Sequence, residues 1–276
     1  MKCDYQEIAK RALNIRKNIL KMLCEAKSGH PGGSLSATDI MSVLYFNHMN
    51  IDPNKYTDPD RDRFVLSKGH AAPVLYATLA EKGFFPEEEL MTLRKLGSRL
   101  QGHPDMKKLP YVEMSTGSLG QGLSAAAGMA ISGLVDSKDF YTYVMIGDGE
   151  VQEGQIWEAA MFSAHYKLGK LIAILDHNSL QIDGDIRDIM NPNPLDKKWE
   201  AFGWHVQSID GHDLEQICDA LTKAKEVDDK PSIIIAKTIK GKGVSFMENQ
   251  AGWHGNAPCE EQTAKAIAEL EERYNG

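Results

Sequence analysis

Two oxygen-bearing side chains follow apolar runs that are typical of buried strands. Asp148 follows the run YTYVMIG, and Asn178 follows LIAILDH. Two parallel strands joined by a helix end at the same edge of their sheet, where ligands bind. Carboxylate and amide oxygens suit Mg²⁺ or Ca²⁺, and Gly147 and Gly149 let the backbone approach a phosphate. The pattern therefore predicts a metal and phosphate site, although Gly-Asp-Gly alone also fits a simple tight turn.

Histidines in glycine-containing loops form a second candidate set. Four of the nine histidines directly follow a glycine, namely His30, His70, His103 and His212. Such loops place imidazoles at exposed bends, and an imidazole with an ordinary pKa can exchange a proton near neutral pH. Bracing of the loop is the alternative role for each. His212, with Asp213, is expected only to start a helix, and structural roles are expected for His48, His165, His177 and His205.

The rest of the pattern supplies elements that would hold these residues. Apolar residues recur every three or four positions over residues 6–27, which predicts a first helix. Ser36, with Asp39 three positions later, suits the start of another helix. From residue 140 onward, apolar runs alternate with helical stretches at 152–168, 214–225 and 260–274. Strands separated by such helices favour a parallel sheet covered on both faces, so the predicted fold class is α/β.

Composition excludes several classes of function. The 276 residues carry 31 basic and 39 acidic side chains, and the net charge of −8 has the wrong sign for coating nucleic acid or an anionic membrane. The sequence contains neither a bilayer-spanning apolar run nor a signal-peptide core, so the cytoplasm is the expected compartment. One continuous domain is the simplest interpretation of a chain this long. The cysteines lack CxxC spacing and are expected to be reduced and structural: Cys3, Cys24, Cys218 and Cys259.

Blocks along nearly the whole chain resemble the transketolase family, within its N-terminal, diphosphate-binding half. They include SGHPGGSLS, LSKGHAAPVLYA, STGSLGQGLSAAAGMA, GDGEVQEGQIWEA, LDHNSLQIDG and KTIKGKGVSFMEN, in the family's order. The 28 residues between Gly149 and Asn178 also match the spacing of the thiamine-diphosphate signature. The related 1-deoxyxylulose-phosphate synthases lack GHPGG, and the α subunits of 2-oxo acid dehydrogenases share only the GDG block.

The resemblance implies which residues hold the cofactor, thiamine diphosphate. Mg²⁺, for which Ca²⁺ or Mn²⁺ are possible substitutes, would be held by Asp148, Asn178 and the backbone carbonyl of Leu180. Residues that match family positions around the cofactor are His70, Gly117, Leu119, Gly149, Lys240 and His254. His70, His254 and the Gly149 N–H would contact the diphosphate, and Gly117 and Leu119 would line the pocket around the rings. The family places either a basic or an apolar residue at the position of Lys240.

The resemblance also implies substrate-facing and subunit-bridging residues. His30 and His103, together with His254, match positions that face the sugar. Glu153 matches a member of a buried acid network that links the two active sites of a dimer; stabilising a helix N-terminus is its alternative role. Small residues recur every four positions at Gly120, Ser124, Gly128 and Ser132, which permits close approach of a helix within the core or across a subunit boundary.

The function implied by the resemblance is transfer of a two-carbon ketol unit from a ketose phosphate, such as xylulose 5-phosphate, to an aldose phosphate, as in the pentose phosphate pathway. The chain ends at Gly276, before the family's pyrimidine-binding and C-terminal domains. We therefore expect the smaller polypeptide of a split transketolase, active only with a partner chain that carries those domains, in a two-plus-two assembly. The alternatives are the cofactor-binding subunit of another thiamine-diphosphate enzyme, acting on an unusual sugar or a 2-oxo acid, and a non-catalytic regulatory subunit that binds the cofactor.

Overall fold

Helices and strands alternate along most of the chain. The computed structural model describes residues 3–275. The helices are α1 (Tyr5–Ala26), α2 (Pro31–Ser36), α3 (Thr38–Val43), α4 (Ala72–Lys82), α5 (Gln121–Val135), α6 (Gly154–His165), α7 (Ile186–Ile189), α8 (Leu195–Ala201), α9 (Leu214–Lys225) and α10 (Glu260–Asn275). The strands are β1 (Arg63–Leu66), β2 (Thr142–Gly147), β3 (Leu171–His177), β4 (Leu180–Gln181), β5 (Gly184–Asp185), β6 (His205–Asp210) and β7 (Ser232–Lys237).

Five of the strands form one parallel sheet in the order β1-β2-β3-β7-β6. β4 and β5 form a separate antiparallel pair. Each crossover connection in the sheet contains a helix, because parallel neighbours cannot be joined by a tight turn. β2 and β3 lie side by side in the interior of the sheet, with Gly147 paired to Asp176. The predicted α/β fold class with a parallel sheet is confirmed.

Alternate side chains along the central strands belong to two separate hydrophobic cores, one on each face of the sheet. In β2, Tyr143 and Met145 pack with α1, α3, α4 and α9, while Val144 and Ile146 pack with α5, α6 and α8. The β3 side chains divide in the same way. Successive side chains of a strand point to opposite faces, so a strand that is apolar at every position must be covered on both sides. The predicted double coverage is confirmed.

The first helix follows its predicted limits closely. The Asp4 side chain accepts a hydrogen bond from the Glu7 N–H and caps α1, and Lys27 ends the helix in the left-handed conformation. The prediction that Ser36 begins a helix is wrong, because Ser36 is the last residue of α2 and Ala37 precedes α3 without a side-chain cap. The Ser36 hydroxyl instead donates to Asp176 Oδ2 at 2.6 Å. A buried carboxylate has thus replaced the helix terminus as the partner of this hydroxyl.

The later helices agree with prediction except at one pair of ends. The 214–225 helix is confirmed as α9, capped by Asp213, and α10 extends the 260–274 prediction by one residue. The 152–168 helix is shorter than predicted. Glu150–Gln152 form a separate 3-10 turn, and the left-handed Lys167 (φ 52°) follows the end of α6. Apolar periodicity continues past both of these breaks and so overestimates the helix.

Two of the cysteines form a disulfide, contrary to the expectation of four reduced thiols. Cys3 and Cys218 are bonded although 215 positions separate them in sequence, whereas Cys24 and Cys259 are free thiols. The spacing of cysteines along the chain does not reveal that Cys3, just before α1, lies against Cys218 in α9. Among the described residues, no helix combines the length and apolar character that crossing a bilayer requires.

The small-residue stripe of α5 passes from the interior to the surface. Gly120 is buried and Ser124 is half-buried, whereas Gly128 and Ser132 are exposed, and no described atom lies within 4 Å of a Cβ built on Gly128. Core packing therefore does not extend to the second half of the stripe. Gly122, near the start of the same helix, is different, because its Cβ would lie 2.7 Å from the Ser67 Cα.

These two glycines provide a matched pair for testing the packing of α5 on β1. We expect Gly122→Ala to lower the free energy of unfolding by about 1–3 kcal/mol, because the added methyl overpacks the contact with Ser67. Gly128→Ala should raise it by about 0.5–1 kcal/mol, because alanine restricts the unfolded chain and meets open space. Denaturant unfolding of both variants measures the difference. Equal effects of the two substitutions would contradict this packing.

Candidate functional site

The two predicted metal ligands lie side by side at the carboxyl edge of the sheet. Asp148 directly follows β2, and Asn178 directly follows β3, the neighbouring strand. Asp148 Oδ1 accepts from the Gly149 N–H at 2.9 Å, and Asp148 Oδ2 accepts from the Ser179 N–H. Asn178 Oδ1 accepts from the Leu180 N–H at 3.1 Å. These bonds fix both side chains on the loops that carry them, as the strand ends predicted.

Asp148 is a buried carboxylate that, among the described residues, has no ammonium or guanidinium group within ion-pairing distance. Burial, and then the neighbouring Asp176 carboxylate, raise the pKa of Asp148 to about 7. The nearest ion-pairing atom in the described chain is His177 Nδ1, 3.7 Å from Asp148 Oδ2, and burial lowers the pKa of that imidazole. The electrostatics at Asp148 therefore favour a bound cation.

Four imidazoles converge opposite Asp148. The ring centroids of His30, His70 and His254 lie 5.2–5.4 Å from one another, and that of His103 lies 6.5 Å from His30. Burial lowers the pKa of His30 to about 4 and that of His254 to about 3, and it also lowers the pKa values of His70 and His103. At neutral pH these rings are uncharged hydrogen-bonding groups. The pKa values of His30 and His103 are thus both shifted below the ordinary value from which proton exchange was expected.

Lys240 spans the gap between the metal-ligand loop and the histidines. Its Nζ donates to the Leu180 carbonyl at 3.0 Å and lies 2.8 Å from His254 Nδ1. Burial lowers the pKa of Lys240 to about 8, while the Asp148 charge acts in the opposite direction. The Leu180 carbonyl, a predicted metal ligand, therefore already faces a cationic group.

These residues share a cleft of about 360 Å³ at the sheet edge. Among the predicted site residues, those that line it are His30, His70, Gly117, Leu119, Asp148, Gly149, Glu153, Asn178, Leu180, Lys240 and His254. His103 does not line the cleft, and its side chain is exposed. Its ring packs against Gly117, whose Cβ would lie 3.1 Å from the imidazole and whose φ of 141° favours glycine. Glu153 lies at the exposed rim, immediately before α6. The structure thus brings every predicted site residue except His103 to the lining or rim of one cleft, and His103 lies against the lining residue Gly117.

Asp176 connects the end of α2 and three loops beneath the cleft, and sequence reasoning missed it. Its carboxylate accepts hydrogen bonds from the Lys68 ammonium, the Ser36 and Thr238 hydroxyls and, at 3.3 Å, the Asn178 amide. Burial acts to raise the pKa of Asp176, but the Lys68 charge together with the hydrogen bonds from Lys68, Ser36 and Thr238 outweighs it, and the pKa is lowered. A charged residue within the apolar run LIAILDH was a usable signal; its four partners were not visible in sequence.

Two further missed residues hold neighbouring loops. Glu150 accepts from the Ser67 hydroxyl and from the N–H groups of Gly120 (2.9 Å) and Gly147 (3.0 Å). His212, expected only to start a helix with Asp213, bridges Asp39 and the Ile239 N–H at 2.8 Å each. His212 thereby fixes the start of the loop that carries Lys240.

Comparison with known proteins decides the family. The sequence matches the family described as "Transketolase, thiamine diphosphate binding domain" over residues 8–274. It is 51% identical to a 6-deoxy-6-sulfo-D-fructose transketolase subunit, SqwG, of Clostridium sp. (strain MSTE9), over 93% of this chain and 94% of that protein. It is 44% identical to an apulose-4-phosphate transketolase subunit of Phocaeicola vulgatus, over 94% of this chain and 92% of that protein.

Comparison with solved structures supports the same family. The Campylobacter jejuni transketolase superposes with a TM-score of 0.91 and 36% identity, over 100% of this chain and 43% of that chain. The chain belongs to the transketolase family. The predicted family, its diphosphate-binding portion and the fold are confirmed. The relatives named as subunits also confirm the main functional prediction, a transketolase subunit.

The residues present fit the cofactor end that this family domain binds. An uncompensated buried carboxylate, an amide oxygen and a backbone carbonyl form a hard oxygen donor set, which suits Mg²⁺. On the other side of the cleft, the His30 Nδ1 atom is buried without a hydrogen-bond partner among the described residues. The backbone next to Gly149 is also open, since only Gln181 would contact a Cβ there. The transketolase-family cleft therefore has the groups for both a cation and a phosphate.

Removing the charge of Asp176 tests what holds these loops together. We expect Asp176→Asn to lower the free energy of unfolding by about 3–5 kcal/mol, because it leaves the buried Lys68 ammonium without its counter-charge. The double variant Lys68→Met/Asp176→Asn should recover part of this loss. Denaturant unfolding measures each effect, with the exposed Asp136→Asn as a near-neutral control. A single variant as stable as the control would show that this pair does not anchor the cleft.

Proposed function

We propose that this chain binds thiamine diphosphate through Mg²⁺ and, with a partner chain, transfers a two-carbon ketol unit from a ketose to an aldose. The observation that carries the proposal is the placement of Asp148 and Asn178 at the ends of adjacent strands, in one cleft with His30, His70 and His254. Family membership supports the assignment of the cofactor.

The metal would be held by Asp148, Asn178 and the Leu180 carbonyl. A divalent cation there offsets the two carboxylate charges of Asp148 and Asp176, which repel each other in the apo protein. Lys240 now donates to that same carbonyl. Because two cations at one oxygen repel each other, metal binding favours a movement of the Lys240 ammonium toward the diphosphate.

The diphosphate would be held by His70, His254, Lys240 and the Gly149 N–H. Uncharged imidazoles donate hydrogen bonds to phosphate oxygens, and the Lys240 ammonium adds charge. In a protein with a net charge of −8, an anionic ligand needs such a local group of donors together with the metal. A bound anion would also raise the pKa values of these imidazoles, which burial and, after it, nearby cations now lower.

When bound, thiamine diphosphate supplies a carbon nucleophile and an electron sink for cleavage of a carbon–carbon bond. Around it, Gly117 and Leu119 line the cleft and keep space for the rings. His30 and His103 would hydrogen-bond the sugar hydroxyls and hold or move their protons, and His254 would contact both cofactor and substrate. Packing of the His103 ring against Gly117 supports its place next to the ring pocket.

A partner chain would supply the pyrimidine-binding and C-terminal domains. Two relatives of nearly the same length are named as transketolase subunits, whereas this chain spans only 43% of the C. jejuni transketolase. The exposed small-residue face of α5 and the rim position of Glu153 suit self-association within a two-plus-two assembly. Glu153 would then belong to a carboxylate network between two active sites.

The donor is either a sugar phosphate or a sugar carrying a sulfonate. The first follows from the family, and the second is favoured by the 51% identity to a relative named for 6-deoxy-6-sulfo-D-fructose. Both anions are tetrahedral and of similar size. The donors xylulose 5-phosphate, fructose 6-phosphate and 6-deoxy-6-sulfofructose distinguish the two candidates when each is assayed with the same aldose acceptor.

Removing the metal's charged ligand tests the binding half of the proposal. We expect Asp148→Ala to abolish the Mg²⁺-dependent part of thiamine diphosphate binding, because the only protein carboxylate in the predicted ligand set is lost. Isothermal calorimetry with and without Mg²⁺ measures this, with the exposed Asp188→Ala as the control. Unchanged titration of Asp148→Ala would move the metal elsewhere.

Reconstitution tests the catalytic half. We expect the purified chain alone to give no measurable ketol transfer, and a chain that carries a transketolase pyrimidine-binding domain and C-terminal domain to restore it. The assay follows the aldose released from each of the three donors, with the Asp148→Ala chain in the mixture as a control. Substantial activity of the purified chain without a partner would refute the two-chain arrangement.

A further inference from the structure

A second set of metal-ligating side chains lies outside the cleft. It consists of Cys3 before α1, His48 at the end of a π-helical turn (Leu44–His48), and Cys218 within α9. One ligand atom of each residue lies within 4.8 Å of the ligand atoms of the other two. None of the three lines the cleft. We call this set the Cys3–His48–Cys218 cluster.

The surroundings of the cluster are those of a site rather than of an isolated disulfide. Cys218 is buried, and Cys3 and His48 are half-buried. The Asn47 amide donates to Cys3 Sγ at 2.9 Å and lies 3.9 Å from Cys218 Sγ, so one donor serves both sulfurs. His48 Nε2 is buried and has no hydrogen-bond partner among the described residues. The disulfide explains the two sulfurs but leaves this nitrogen without a role.

We propose that, when its cysteines are reduced, the Cys3–His48–Cys218 cluster binds one Zn²⁺. Zinc is commonly held by thiolates and imidazoles in a tetrahedral arrangement, and water would take the fourth position. The thiolates select zinc over magnesium, whereas the oxygen donors of Asp148 and Asn178 suit magnesium. The ion would join the segment before α1 to α9 and to the turn that ends at His48. The expected structural role of His48 thereby becomes that of a ligand.

The chemistry of the change balances with a dithiol as the reductant. The dithiol gives two electrons and two protons to the Cys3–Cys218 disulfide, whose S–S bond breaks to give two thiols, while the dithiol becomes a disulfide. Zn²⁺ then displaces the two thiol protons and binds both thiolates and the neutral imidazole. The reverse exchange with a disulfide oxidant, which takes up two electrons and becomes two thiolates, would re-form the Cys3–Cys218 bond and release the ion.

Cobalt spectroscopy on the full chain tests the proposal directly. The chain is reduced with a phosphine, kept in excess Mg²⁺ and titrated with Co²⁺. We expect thiolate-to-cobalt charge-transfer absorption that saturates at one ion per chain and disappears when Zn²⁺ is added. Cobalt bound at Asp148 and Asn178 cannot give this band, because those residues supply no sulfur. Failure of the proposed transketolase function would therefore leave this result unaffected.

Variants identify the ligands. Zinc affinity, measured by competition with a chromophoric chelator, should fall by at least about 100-fold in Cys3→Ser, Cys218→Ser and His48→Gln, and by about 10-fold in Asn47→Ala, which loses the donor to the sulfurs. Cys24→Ser and Cys259→Ser are the matched controls and should bind normally. Circular dichroism checks folding. If Cys218→Ser does not fold, Cys3→Ser and His48→Gln still decide the question, because both residues are only half-buried.

Two results would overturn the proposal. One is a reduced, folded chain that gives no thiolate-to-cobalt band, even if differential alkylation shows that the Cys3–Cys218 disulfide forms reversibly. The other is zinc affinity in Cys3→Ser or His48→Gln equal to that of the Cys24→Ser control.

Discussion

The cleft depends on one buried carboxylate, Asp176, at the end of β3. It accepts hydrogen bonds from Ser36, at the end of α2, and from Lys68, Asn178 and Thr238, which lie in three different loops. Each of these four segments also carries a predicted cofactor or substrate residue close in sequence to the anchoring group. A single charge at the centre of the sheet thus sets the relative positions of groups that are distant in sequence. Isolated buried charges are costly, so this anchor persists only because the Lys68 ammonium compensates it.

Negative and positive groups lie in different parts of the cleft, and neither is neutralised by the other. Asp148 is a buried carboxylate without an adequate counter-charge, and its pKa is raised to about 7. Across the cleft, burial lowers the pKa values of Lys240 and the imidazoles, and the cations crowded there lower them further. A metal ion alone would offset the buried charge of Asp148, and a phosphate alone would offset the crowded cationic groups. A metal–diphosphate pair relieves both, which is why the geometry favours a ligand that carries its own cation.

The sequence predicted the positions of those site residues that directly follow a strand. Asp148 and Asn178 could be assigned to one edge because right-handed crossovers leave little choice, and the blocks around His30 and Lys240 specified the family. Asp176, Glu150 and His212 were missed, since their roles are set by partners that only the folded chain brings together. Ser36 was misassigned for the same reason: a serine before a helix normally caps it, but here a buried carboxylate competes for the hydroxyl. The Cys3–Cys218 contact was equally invisible, because it depends on the length and direction of α1.

The lowered histidine pKa values change how these side chains can act. With pKa values near 4 and 3, His30 and His254 are uncharged in the apo cleft at neutral pH, and a role as general acids would require a ligand that raises those values. An anionic diphosphate bound as proposed would be such a ligand, because it would stabilise the imidazolium forms. Cofactor binding would therefore prepare the proton-transfer groups as well as supply the reactive carbon. On this argument the imidazoles proposed to bind the cofactor and those proposed to face the sugar are electrostatically coupled, since His30 lies about equally close to His70 and His254.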